Sequence, residues 1–146
     1  MVTCKSLLHS YYRESELKHG RVAMLAAVGF PLAEIFHPLF GGNVDVPSVI
    51  AFQQTPLQTF WPAVVAVIGL TEVITIFPHM DPSVEVYAVT SDHVAGDFKF
   101  DPLGLKPKDA ANFEKMATKE INNGRLAMLA IAGMVGQELA TGKTLF

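Results

Sequence analysis

Two short stretches carry residues able to hold a metal. Glu16, His19 and Arg21 fall within six residues, and Glu120, Asn123 and Arg125 repeat that spacing 104 residues later. Gln137 follows Asn123 by 14 residues, about four helical turns. Glu72 stands alone in a long uncharged stretch. Glu, His, Asn and Gln share one property: each offers a lone pair to a metal. Here they are spread out, one ligand per place. A free divalent cation takes several protein ligands at once. A metal already held by four in-plane nitrogens needs only one axial ligand. Single ligands strung along apolar helices therefore point to several metal macrocycles. A carboxylate ligand keeps negative charge, which a neighbouring arginine would neutralise.

The repeat shows how that neutralisation is arranged. Glu16–Gly29 reads ELKHGRVAMLAAVG and Glu120–Gly133 reads EINNGRLAMLAIAG, identical at eight of 14 positions. Glu34 and Glu138 match five residues further on. Within one helix, Glu16 and Arg21 point about 140° apart, so they do not share a face. Two similar helices crossed about a pseudo-twofold axis would pair Glu16 with Arg125 and Glu120 with Arg21. Reciprocal pairing answers the high cost of unpaired charge in apolar surroundings. Gly20, Ala23 and Ala27 on one helix, with Gly124 and Ala127 on the other, allow close approach.

Three helices must present these residues, over about 13–36, 57–77 and 109–140. The first stops at His37-Pro38 and Gly41-Gly42, the second at Pro78 and the third at Gly142. No stretch shows strand-like alternation. Of 146 residues 50% are hydrophobic and only 17% charged, with a formal net charge of −3 and a mean hydropathy of +0.32. That excludes disorder and disfavours nucleic-acid binding. The single cysteine, Cys4, excludes a disulfide framework and Cys-based zinc or iron–sulfur sites. The composition asks for a membrane, yet Val22–Ala33 and Leu126–Gln137 hold only 12 uncharged residues each, where a span needs roughly 20. Counted through the ligand-type charges, the helices reach spanning length. Ile35 to Thr71 contains no Lys or Arg, whereas the N-terminal flank and the 78–119 connection are rich in them, as in a three-span topology. The reading is an all-α membrane protein of three transmembrane helices, the first and third crossed as a pseudo-twofold pair.

The segments ELKHGRVAM and EINNGRLAM, with GDFKFDPLGL at Gly96–Leu105, resemble the light-harvesting chlorophyll-binding protein family over nearly the whole chain. AEIFHPLFGGNVDVPS and QELATGKTLF are most similar to its red-lineage branch, the fucoxanthin–chlorophyll a/c-type antennae. The resemblance implies axial ligation of chlorophyll magnesium by Glu16 and His19 from the first helix, Glu72 from the second, and Glu120, Asn123 and Gln137 from the third. Arg21 and Arg125 would be the neutralising partners, and Asp101, Pro102 and Leu103 would help hold one end of a carotenoid. It implies chlorophyll a, chlorophyll c and fucoxanthin or related carotenoids such as diadinoxanthin. Implied partners are a photosystem I or II core, neighbouring antenna subunits and membrane lipids, with no nucleic acid. The implied location is the plastid thylakoid membrane, with the N-terminal flank in the stroma. Residues 1–146 form one antenna domain, and the upstream counterpart of FDPLG is expected ahead of Met1. The green branch often has a Gln before the Glu of the second helix. Here Val64-Val65-Ala66 stands there, leaving a water or Gln58 to serve.

The sequence contains no Gly-rich phosphate loop, no nucleophile elbow and no helical His pair, so no enzyme is expected. The function implied is light harvesting, with excitation passed to a photosystem. Photoprotective dissipation by the same fold, and a pigment-free assembly factor using the Glu–Arg lock for structure alone, are the alternatives. His37 and His79 read as interfacial residues, His93 as a solvated loop residue, and Glu34 and Glu138 as acids near the opposite membrane surface.

Overall fold

The computed structural model describes residues 4–36, 38, 46–76, 93–98, 101–102 and 104–145. All regular secondary structure among them is helical: α1 (Cys4–Ile35), α2 (Ser48–Ala51) followed by a 3₁₀ turn (Phe52–Gln54), α3 (Phe60–Ile76) and α4 (Ala110–Thr141). Thus α1 begins well before the expected Arg13, because residues 4–12 contain no Gly or Pro to stop it. The seven residues of α2 and its 3₁₀ turn, read from sequence as loop, are too short to show a periodicity.

Local chemistry explains the ends. Gly142 adopts the left-handed conformation (φ 66°, ψ 16°) and its N–H donates to Glu138 O at 2.8 Å, closing α4 as a C-terminal glycine does. Phe60 N–H donates to Pro56 O at 2.9 Å, and Pro62 falls in the first turn of α3, where no intrahelical donor is lost. Trp61 Nε1–H donates to Thr55 Oγ1 at 2.7 Å, and its ring meets Phe52 and Phe60 edge-on. This small aromatic cluster fixes the entry of α3.

The two 32-residue helices cross at a pair of glycines. A Cβ built on Gly20 would lie 3.0 Å from Gly124 Cα, and one on Gly124 would lie 3.0 Å from Gly20 Cα. Only hydrogen at both positions lets the backbones meet. Leu17, Ala23, Ile121 and Ala127 pack around this contact and are the buried hydrophobics among the described residues. The apolar outer faces are bare: Leu25 is 77% exposed and Leu129 75%, and Val22, Val28, Leu32, Leu126 and Leu139 are open as well. α3 makes no close backbone approach to α1, α2 or α4, and Val65, Val67, Ile68, Leu70, Val73 and Ile74 are exposed along it. Contiguous apolar surface on this scale needs cover by something other than the described residues.

No described helix is long and apolar enough by itself to cross a membrane. α3 is apolar but has 17 residues, and α1 and α4 are long but interrupted by the charges of the repeated motif.

Candidate functional site

Both reciprocal pairs inferred from the repeat are present. Arg21 Nε donates to Glu120 Oε1 at 2.7 Å, and Arg125 Nε donates to Glu16 Oε1 at 2.6 Å. Each pair joins α1 to α4, one on either side of the Gly20–Gly124 contact. Each arginine engages one carboxylate oxygen. The other, Oε2, accepts no hydrogen bond from any described residue of the chain, and Glu16 Oε2 has only Arg13 Nη1 at 3.9 Å. A neutralised carboxylate with one free oxygen is suited to be an axial ligand without leaving net charge behind.

His19 is prepared in a different way. Its Nδ1 lies 2.8 Å from Ser15 O, and a carbonyl oxygen can only accept, so Nδ1 carries the proton. In the neutral ring Nε2 then holds a bare lone pair. A backbone-anchored Nδ1–H is the usual way a protein orients a metal-binding imidazole. Asn123 and Gln137 are exposed on α4, and among the described residues their side-chain amides have no protein partner. Glu72 is half exposed on α3 and does not stand free: Lys18 Nζ of α1 donates to its Oε2. Lys18 belongs to the cation-rich N-terminal flank, where its spacing alone does not mark it as a partner for Glu72. Gln58 lies in the turn before α3, ahead of the helix it would serve. The ligand-type residues are not gathered into one cluster, and no group of acids, histidines or cysteines among the described residues could hold a free metal ion.

A loop closes over one of the two pairs. Arg21 Nη2 also donates to Gly96 O at 2.8 Å. Gly96 has φ 82°, and a Cβ there would lie 2.7 Å from Leu17 Cδ1, so only glycine permits the approach. Glu14, buried, holds the same loop: its Oε2 accepts from Gly96 N at 2.7 Å and from His93 Nε2 at 3.1 Å. His93 is therefore packed against α1 rather than solvated, with its side chain 5% exposed. Sequence reasoning passed over Glu14 because it sits beside Glu16 in an ordinary acidic stretch.

Beyond the loop, a cavity of about 460 Å³ opens between α1, residues 94–97, Asp101, residues 105–107 and the start of α4. Leu17, Val94, Phe113 and Met116 form its apolar wall, and Arg21, Glu120 and Asp101 its polar edge. Asp101 Oδ2 accepts from Lys106 N at 2.9 Å and Oδ1 from Leu105 N at 3.0 Å. The Lys106 N–H, then the Leu105 N–H, hold its carboxyl below the usual aspartate value. Both oxygens are thus spent on shaping the turn at the cavity rim. Pro102 is exposed beside it, and Leu103, like His37 and His79, lies outside the described residues.

At the other end of the crossed pair, the acids do not extend toward an interface. Glu138, only 2% exposed, accepts from Val49 N at 2.9 Å, and Glu34 accepts from Leu145 N at 2.8 Å. Each glutamate therefore holds the backbone of the segment that follows the opposite helix.

With this geometry in place, the relatives are informative. Residues 7–139 match the family described as Chlorophyll A-B binding protein. The chain is 44% identical over 142 residues to light-harvesting complex stress-related protein 3.1, chloroplastic, of Chlamydomonas reinhardtii, covering 92% of this chain and 54% of that protein. It is 41% identical over 139 residues to a fucoxanthin-chlorophyll a-c binding protein, chloroplastic, of Isochrysis galbana, covering 90% and 65%. It is 36% identical over 134 residues to chlorophyll a-b binding protein 6A, chloroplastic, of Solanum lycopersicum, covering 88% and 52%. The chain spans about half the length of several of these curated relatives. It belongs to the chlorophyll a-b binding protein family.

Proposed function

We propose that this chain, as a member of that family, is a photosynthetic antenna protein of the plastid thylakoid membrane. It holds chlorophylls and carotenoids on a crossed α1–α4 pair and on α3, crosses the membrane three times with its N-terminal flank in the stroma, and delivers excitation to a photosystem core and neighbouring antenna subunits. The pigments supply light absorption and energy transfer when bound, and the protein supplies their positions. Glu16 and Glu120 offer their free oxygens to magnesium while Arg125 and Arg21 hold the charge neutral. His19 offers Nε2, Asn123 and Gln137 offer amide oxygens, and Glu72 offers its second oxygen from α3. The cavity rimmed by Asp101 receives a carotenoid end, which the neighbouring sequence residues Pro102 and Leu103 would help hold. Similarity to the Isochrysis fucoxanthin-chlorophyll a-c binding protein supports chlorophylls a and c with fucoxanthin or a related carotenoid such as diadinoxanthin.

One observation carries this reading: neutralised carboxylates and an oriented imidazole open onto apolar helix faces that no part of the described chain covers. Those faces are where flat apolar macrocycles would lie. The test is to purify the protein in mild detergent, record its absorption spectrum and separate its pigments, then repeat with His19→Leu. Loss of one chlorophyll in the variant is expected. A colourless protein, or a variant with an unchanged spectrum, would refute the assignment.

A second reading, dissipation of excess excitation, draws support from the similarity to proteins named stress-related. The segment between the first two long helices offers Asp45 as its only acid, outside the described residues, which favours harvesting. A fluorescence lifetime that shortens sharply on acidification would reverse the order.

A further inference from the structure

Glu16, Glu120 and Glu72 stand on three different helices, and each meets a cation from another helix. Glu16 meets Arg125, Glu120 meets Arg21 and Glu72 meets Lys18. The first two pairs follow from the repeat. The third does not, since α3 has no counterpart in the repeat and carries no cation of its own. Glu72 is the one titratable residue in its 17-residue sequence, FWPAVVAVIGLTEVITI. An unanswered carboxylate in such a helix is costly in an apolar medium.

Lys18 is built to answer it. Its side chain is 19% exposed against 49% for Glu72, so the cation is the more tightly packed end of the pair. Phe98 sits with its ring centroid 5.5 Å from Lys18 Nζ and 5.4 Å from Arg21 Cζ. Residues three apart on α1 share a face, so one ring brackets two cations. Arg21 is turned to Glu120 on α4, and Lys18 to Glu72 on α3. Arg21 and Arg125 are engaged with the glutamates of the repeat, and Lys18 is the cation that meets Glu72.

We propose that Lys18 is the counter-ion of a ligating Glu72. It neutralises Oε2 so that Oε1 can serve as an axial ligand to chlorophyll magnesium, and it sets α3 against α1. Lys18 is a positioning residue, and the inference rests on reading Glu72 as a ligand.

Charge compensation and a simple tether predict different genetics. The full chain is refolded in detergent with a chlorophyll and carotenoid extract. Chlorophylls per polypeptide are counted by chromatography, and far-ultraviolet circular dichroism reports helix content. Lys18→Met should lose one chlorophyll, because Glu72 is left charged and alone. Glu72→Gln should lose it too, because Lys18 is then the unpaired charge. The double variant should regain it, since a neutral amide ligand needs no counter-ion, and Lys18→Arg should keep it. A full complement in Lys18→Met, or a double variant no better than either single, would overturn the proposal. If Glu72→Ala keeps every chlorophyll, the counter-ion role falls while the antenna reading stands. If the unaltered chain takes up no chlorophyll, both fall.

Discussion

Replacing Gly124 with valine should force apart the crossing on which both Glu–Arg pairs depend. A Cβ on Gly124 would lie 3.0 Å from Gly20 Cα and 3.5 Å from Gly20 C. Carbon atoms rest at about 3.5–4.0 Å, so even alanine asks the helices to separate or tilt by roughly 0.5–1 Å. Valine adds two methyl groups on a side chain stiff at χ1 in a helix. Overpacking of this kind costs about 1–3 kcal/mol, roughly a 5–150-fold loss in the correctly assembled population. Gly124 adjoins Arg125, and Gly20 adjoins Arg21, so the same opening draws on both pairs. A bond of 2.6 Å stretched by about that distance leaves the hydrogen-bonding range of 2.7–3.2 Å at its far edge or beyond. The assay is refolding with pigments in detergent, followed by the thermal loss of visible circular dichroism. Gly124→Ala should lower the midpoint modestly, and Gly124→Val should lower it strongly and release chlorophyll. Gly133→Ala is the control, because a Cβ there meets nothing of the chain within 4 Å. A wild-type midpoint and pigment count in Gly124→Val would refute the idea that close backbone contact organises the site.

Two further outcomes follow from the geometry. Arg125→Leu should cost more than one chlorophyll, because it frees Glu16 and removes one of the two Glu–Arg pairs joining α1 to α4; normal pigment stoichiometry by chromatography would count against the cross-pair arrangement. The Asp101 carboxyl is held below its usual value by backbone N–H groups, so ionised Asp101 stabilises its turn fully above the unfolded aspartate value of about 3.9. That contribution falls away as pH drops through the lowered native value. Carotenoid circular dichroism at the cavity should therefore hold at mildly acidic pH and weaken only under strong acid, whereas Asp101→Asn should weaken it at every pH.

The sequence alone determined the crossed pair. Glu16 and Arg21 cannot meet on one helix of 3.6 residues per turn, and a second copy of the motif supplies the partner each requires. The glycines and alanines of that repeat also marked the face where the helices meet. Helix extent was less legible: residues 4–12, a mixture of polar, apolar and aromatic side chains, continue α1 without a clear hydrophobic period. Three other arrangements came only from the tertiary structure. Lys18 reaches Glu72 across 54 residues, Glu14 holds Gly96 across 82, and Glu138 and Glu34 hold Val49 and Leu145 across 89 and 111. Lys18 is one of several lysines in the chain, and nothing in its spacing selects it over the others. For Gly96, Val49 and Leu145 the donor is a backbone N–H, a group every residue but proline carries. Such a partner leaves no mark in the amino-acid sequence, and only the path of the chain in space decides which one a buried carboxylate finds.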